Sequence, residues 1–200
     1  VLNVCHNCVD RHVATRGNEK AIIWEGDDPS DEAHITYAEL SDRVNKLANV
    51  LKERGVKVGD RVCIYMPMIP ETAVAMLACA RLGAIHSVVF GGFAANELAV
   101  RIDDCQPKAI LAASCGVEPG RVVHYKPLLD GAIEIAKSKP EFTVILQREQ
   151  ETAELIEAHG FYEYFDPKDT TPCGGSNFTW TAAIWLTWAG DGRESAKGAA

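Results

Sequence analysis

Apolar and polar positions follow two rhythms along the first 150 residues, and each change of rhythm marks an element. Val4, Cys8, Val9 and Val13 recur at helical intervals, which predicts a helix from Val4 to Arg16. Ala21 to Glu25 and His34 to Tyr37 are β-like runs separated by the polar, turn-forming Gly-Asp-Asp-Pro-Ser-Asp-Glu, so they are expected to pair as an antiparallel hairpin. Thr36 followed three residues later by Glu39 is a capping box in sequence. The helix it opens puts Leu40, Val44, Leu47, Ala48 and Leu51 on one face and closes at Lys52, Glu53 and Arg54 before Gly55.

The densest apolar stretch comes next. Arg61 to Tyr65 reads as a strand, and Pro70 with Glu71 suits the first turn of a helix. From Thr72 to Leu82 almost every residue is apolar or small, which predicts a helix buried on all sides, with Gly83 as its left-handed cap. Ile85 to Phe90 is a second strand. Ala94 to Asp104 is helical, with Leu98, Ile102 and Cys105 on the buried face, and Ala109 to Ala113 is a third strand. A βαβαβ unit at about 61–113 follows, with right-handed crossovers and parallel strands. All three strands then end at one sheet edge, which gathers Met66 to Ile69, Gly91 to Phe93 and the loop Ser114 to Arg121. In open parallel sheets ligands bind outside that edge. A helix from Lys126-Pro127 through Lys137, a strand at Phe142 to Leu146 and an acidic helix at Glu149 to His159 continue the chain. Residues 1–165 thus read as part of an α/β domain. Residues 166–200 change character, with three tryptophans crowded before a Gly-rich end, and are expected to be irregular. There is no internal repeat.

Composition narrows the partners. The formal net charge of −8 supplies no basic field to displace counterions, which argues against nucleic acid as partner. No run reaches the roughly 18 apolar residues of a membrane span. The chain opens Val-Leu-Asn-Val with no signal-peptide pattern, so it reads as a fragment or processed product of an intracellular protein. Seven cysteines, several in apolar runs, fit reduced buried thiols better than a disulfide framework. Cys5 and Cys8 lack the second pair a zinc site needs, so no metal site and no catalytic triad is assigned.

Candidate chemistry sits on the shared edge. Phe90-Gly91-Gly92-Phe93 offers either close backbone approach to a ligand, with glycine's freedom at positive φ, or simply a tight turn. It does not match the dinucleotide fingerprint, which weighs against an oxidoreductase of Rossmann type. Glu118-Pro119-Gly120-Arg121 carries one guanidinium able to grip a phosphate through two parallel hydrogen bonds. His86 reads as a satisfied interior histidine. Asp103 and Asp104, at a helix end, read as partners for Arg101 or Lys108.

Taken together, Tyr-Met-Pro-Met-Ile-Pro-Glu (65–71), the run from Met76 to Phe93, Arg101 to Leu111 and Ser114 to Ile133 resemble the short-chain acyl-CoA synthetases of the adenylate-forming superfamily. The likeness runs in register from about Leu2 to Leu146. It implies the large N-terminal domain of such an enzyme and a two-step reaction. ATP with Mg2+ and a short carboxylate (propionate or acetate) give an acyl-adenylate, and the CoA thiol then displaces AMP. By position, Phe90, Gly91 and Gly92 match the family's contact with the CoA nucleotide. Glu118, Pro119, Gly120 and Arg121 match the segment that meets its phosphates. The acid at Glu118 looks like the propionyl-CoA synthetase branch, since acetyl enzymes tend to carry a basic residue there. Either the bacterial cytoplasm or the mitochondrial matrix would suit such an enzyme.

The family's Ser/Thr/Gly phosphate loop should follow near residue 185. Here Gly190, Gly192, Lys197 and Gly198 stand without the hydroxyl cluster, as in a truncated or misread end, and the chain by itself is expected to be inactive. The rival reading is a non-catalytic module that binds CoA or a nucleotide, or an inert fragment.

Overall fold

A computed structural model describes residues 2–26, 28–118, 120–148, 150, 164–165 and 172–173. The expected helix at 149–159 (apart from residue 150), the glycines and lysine at 190–198 and Pro119 lie outside the described residues.

At the N-terminus, a π-helical turn (His6–Asp10) runs into α1 (Arg11–Arg16). The wider turn moves the phase of the helix, so Cys5 and Val9 are buried while Val4 and Cys8 face solvent. This corrects the face predicted from a uniform helical period. Arg81 secures the segment: its guanidinium donates to Asp10, to Asn45 and to the buried Cys5 sulfur, the last at 3.1 Å from Nη2.

β1 (Lys20–Glu25) and β2 (Glu32–Thr36) form the expected antiparallel hairpin. Thr36 caps α2 (Tyr37–Glu53) reciprocally: its Oγ1 accepts from the Glu39 amide, and its own amide donates to Glu39 Oε2 at 2.8 Å. Leu40, Val44, Leu47, Ala48 and Leu51 are the buried face, as their spacing predicts.

The centre is a parallel four-stranded sheet in the order β4-β3-β5-β8, built from β3 (Arg61–Met66), β4 (Ile85–Phe90), β5 (Ala109–Ala113) and β8 (Phe142–Leu146). Met66 lies opposite Phe90, Tyr65 opposite Ala112, and Ala113 opposite Leu146, so the strands finish at one edge. α3 (Pro70–Leu82) carries the chain from β3 outward to β4, and α4 (Ala95–Cys105) brings it back past β3 to β5. With right-handed crossovers these two helices cover opposite faces. The pairing of α2 with α3, and of α4 with α5 (Tyr125–Ile135), completes the layers.

α3 is not buried all round. Pro70, Thr72, Val74, Ala75, Ala78 and Cys79 face the core, but Met76 is 37% exposed, because an outer-layer helix needs only one buried face and small residues tolerate the other. Gly83 takes the left-handed cap at φ 72°. Asp103 accepts from the Ser138 amide at 2.7 Å, tying α4 to the turn after α5, whereas Lys108 pairs with Asp60 and Glu141. His86 is half-buried on the edge strand β4.

Ser114 to Arg121, expected as a loop, is largely a hairpin of β6 (Cys115–Glu118) and β7 (Arg121–His124). Its closing pair is Glu118 opposite Arg121 across a two-residue turn in which Gly120 holds φ 79°. A short antiparallel pair, β9 (Tyr164–Phe165) with β10 (Pro172–Cys173), reaches across the expected boundary at 165.

Candidate functional site

The chain leaves β3 toward one face of the sheet and β5 toward the other, so the carboxyl ends of these neighbouring strands are the switch point at which open parallel sheets bind ligands. Two tyrosines stand at this edge. Tyr65, the penultimate residue of β3, is fully buried and donates its hydroxyl proton to the Phe93 carbonyl at 3.0 Å. Tyr125, the first residue of α5, stacks on it with ring centroids 4.9 Å apart at 32°. Burial pushes the Tyr65 phenol up to about 12, with Tyr125 adding to it, so Tyr65 stays a proton donor at any physiological pH. Burial raises Tyr125 as well; nearby Glu118 adds to the rise and Arg148 opposes it.

Tyr125 joins two loops that are far apart in sequence. A methyl group on Gly91 would lie 2.6 Å from the Tyr125 ring carbon Cζ, and one on Gly116 would lie 2.7 Å from the same atom. The loop after β4 and the root of the β6–β7 hairpin therefore close on one phenol from two sides. Neither Gly91 nor Gly92 has a positive φ, so at Gly91 it is the space taken by Tyr125, and not backbone conformation, that calls for glycine. At Gly92 the space is taken by the Phe90 ring, whose Cε1 would stand 2.6 Å from a Cβ. Phe90 itself is 66% exposed and meets Phe93 edge-on at 5.8 Å, and the Arg101 guanidinium lies over Phe93.

Ser114 fixes the hairpin to the sheet. Its amide donates to the Leu146 carbonyl at 2.8 Å, its carbonyl accepts from the Tyr125 amide at 2.8 Å, and its buried Oγ accepts from the Arg148 amide at 3.0 Å. Trp24 ties the third loop to the N-terminal hairpin, donating Nε1 to the Met68 carbonyl at 2.6 Å. At the hairpin tip, Arg121 Nε and Nη2 both reach Glu118 Oε2, at 2.9 and 2.7 Å, with the two side chains 70% and 41% exposed.

Of the residues singled out in the sequence, Phe90 ends β4 with Gly91 and Gly92 directly after it, and Glu118, Gly120 and Arg121 lie at the tip of the hairpin that follows β5. Tyr65, Tyr125 and Trp24 carry no signal in the sequence, and Ser114 and Gly116 are expected only as members of the segment 114–121. Gly116 inside a short strand was the available signal, since glycine in a strand often marks close approach by another group. The residues suit an anionic, partly aromatic ligand: an exposed ring, a guanidinium on a fixed hairpin, and main-chain amides. Among the described residues no group of three or more His, Cys, Asp or Glu is arranged to hold a metal ion.

A family model described as AMP-binding enzyme matches residues 9–175. Acetyl-coenzyme A synthetase of Xanthobacter autotrophicus is 52% identical over 162 residues, which is 81% of this chain and 25% of that protein. Acetyl-coenzyme A synthetase of Bradyrhizobium diazoefficiens is 57% identical over 148 residues, 74% of this chain and 23% of that protein. Acetyl-coenzyme A synthetase 2 of Pseudomonas aeruginosa is 50% identical over 163 residues, 80% and 25%. The chain thus spans about a quarter of the length of these relatives.

Proposed function

Because this chain belongs to the AMP-binding enzyme family, we propose that it supplies the CoA-facing part of an ATP-dependent ligase joining a short-chain carboxylate, acetate or propionate, to CoA. The relatives' names support acetate, and the acid at Glu118 supports propionate. The observation that carries the proposal is the joining of the Phe90–Gly92 loop to the β6–β7 hairpin by Tyr125. That contact sets an exposed aromatic ring and an exposed guanidinium on one rigid edge, as a nucleotide with phosphates requires.

In this reading Phe90 offers its ring face to the CoA base, worth about 1–3 kcal/mol for a base stacked on an aromatic ring. Arg121 binds a phosphate by charge-assisted hydrogen bonds, and Gly91 and Gly92 let main chain approach the nucleotide from the side that Tyr125 and Phe90 leave open. Gly120, with its positive φ, sets the tip's direction. ATP with Mg2+ supplies the activated phosphate in this chemistry when bound.

The described residues orient the carrier and catalyse no step. Adenylation needs donors aimed at the transferring phosphate, and one such donor is worth on the order of 3 kcal/mol. The run 184–198 lacks the hydroxyl cluster that would provide them, so the chain alone is expected to form no acyl-adenylate. The absence of a basic surface field supports a small-molecule partner in preference to nucleic acid. No helix among the described residues is long and apolar enough to cross a membrane. Of the seven cysteines, the six whose side chains are described are free and four of these are buried, which supports an intracellular setting.

Calorimetric titration tests the reading. CoA should bind saturably, Arg121→Ala should weaken it at least tenfold, and acetate or propionate with ATP should release no pyrophosphate above blank. Absence of saturable CoA binding would overturn the proposal.

A further inference from the structure

We propose that Glu118 is an affinity-setting residue for the phosphate corner: it occupies the side-on edge of Arg121 and must be displaced before a phosphate takes that edge. The inference rests on the reading that CoA phosphates meet Arg121, and goes beyond it by assigning a role to the acid.

A guanidinium presents two bidentate edges, one formed by Nε and Nη2 and the other by Nη1 and Nη2. Here Nε and Nη2 both donate to Glu118 Oε2. That edge is closed by the chain's own carboxylate. The pairing is built into the backbone, because Glu118 and Arg121 are opposite residues at the end of the hairpin and Gly120 at φ 79° holds the turn that brings them together. Among the described residues nothing lies within 4 Å of where a side chain on Gly120 would begin.

The corner is therefore near neutral at rest. An incoming phosphate must either use only the remaining edge or exchange places with Glu118, and in both cases it approaches within reach of a like charge. Both side chains face water, where such a pair is worth at most about 1 kcal/mol. The carboxylate therefore lowers affinity without abolishing it. Glu118 acts as a graded competitor, set by charge and not by shape.

The test is a calorimetric comparison of the 200-residue chain with Glu118→Gln, Arg121→Ala and the double variant, using CoA and, as a phosphate-free probe, pantetheine. Glutamine keeps the volume and an acceptor oxygen but removes the charge, and far-UV circular dichroism checks that each variant is folded. Glu118→Gln should bind CoA roughly two- to fivefold more tightly, the fold-change of an exposed ion pair. The gain should vanish in the Arg121→Ala background and be absent for pantetheine. Unchanged or weaker CoA binding by Glu118→Gln overturns this inference alone, provided the parent chain binds. A gain that survives Arg121→Ala, or that pantetheine shares, also overturns it. No saturable CoA binding by either the parent chain or Glu118→Gln overturns both this inference and the function it rests on.

Discussion

The phenol of Tyr125 occupies the place where a side chain on Gly91 would begin. Sequence position hides the relationship, since the two residues belong to different loops, yet it decides how the sheet edge is assembled. The same ring blocks a side chain at Gly116 and stacks on Tyr65, whose hydroxyl holds the Phe93 carbonyl. A buried aromatic pair of this kind contributes about 0.5–1.5 kcal/mol beyond its area.

Gly91→Ala and Gly116→Ala should each destabilise the chain by about 1–3 kcal/mol, the usual cost of overpacking. Because the clash involves the ring carbon Cζ as well as the hydroxyl, Tyr125→Phe should rescue Gly91→Ala only partly, and Tyr125→Leu more fully. Urea denaturation of the single and double variants measures the coupling. Strictly additive costs would contradict the contact.

The cysteines should differ sharply in reactivity. Burial pushes the Cys63 thiol up to about 12, with Cys105 adding to it, and burial does the same for Cys79. Burial also raises Cys5, against the opposing pull of Arg81. Among the six cysteines whose side chains are described, Cys8 is exposed and should be alkylated first at pH 8, as peptide mass spectrometry would show. Arg81→Met, which releases Asp10 and Asn45 together with the Cys5 sulfur, should bring Cys5 within reach of the reagent. Labelling of Cys63 before any denaturant is added would contradict the packing of β3.

The cap of α2 should be acid-labile. Hydrogen bonds from the Thr36 amide and then its hydroxyl hold the Glu39 carboxyl below its usual range. A depressed folded value gives stability that is present above the unfolded value, about 4.3 for glutamate, and is lost as pH falls through the folded value. Thr36→Ala should cost about 0.5–2 kcal/mol at pH 7. The difference in stability between the parent chain and Glu39→Gln should shrink as pH drops below about 4. A difference that does not change with pH would rule out the reciprocal cap.

Much of the fold was legible because it is local. Leu40 to Leu51 reads as a helical face from its period, Thr36 and Glu39 announce the cap, and Pro70 and Gly83 bracket α3. The three-strand parallel unit follows from the alternation of β-like and helical runs. The N-terminal face was misjudged because a π-turn at His6–Asp10 alters the period, which composition does not announce. The β6–β7 hairpin reads as a loop in the sequence because its strands are only four residues long and carry two glycines, Gly116 and Gly120, in or beside them. Tyr125 was passed over for a different reason: its importance lies entirely in contacts with Tyr65, Gly91 and Gly116, which no spacing rule connects.

The central claim is that the carboxyl ends of β3, β4 and β5 form one ledge for an anionic carrier. Amide NMR of the 200-residue chain titrated with CoA addresses it directly. Shifts should concentrate at residues 90–93 and 116–121 and spare the opposite edge at 59–61, 83–85 and 107–109. Saturating shifts at that opposite edge, or none anywhere, would contradict the account.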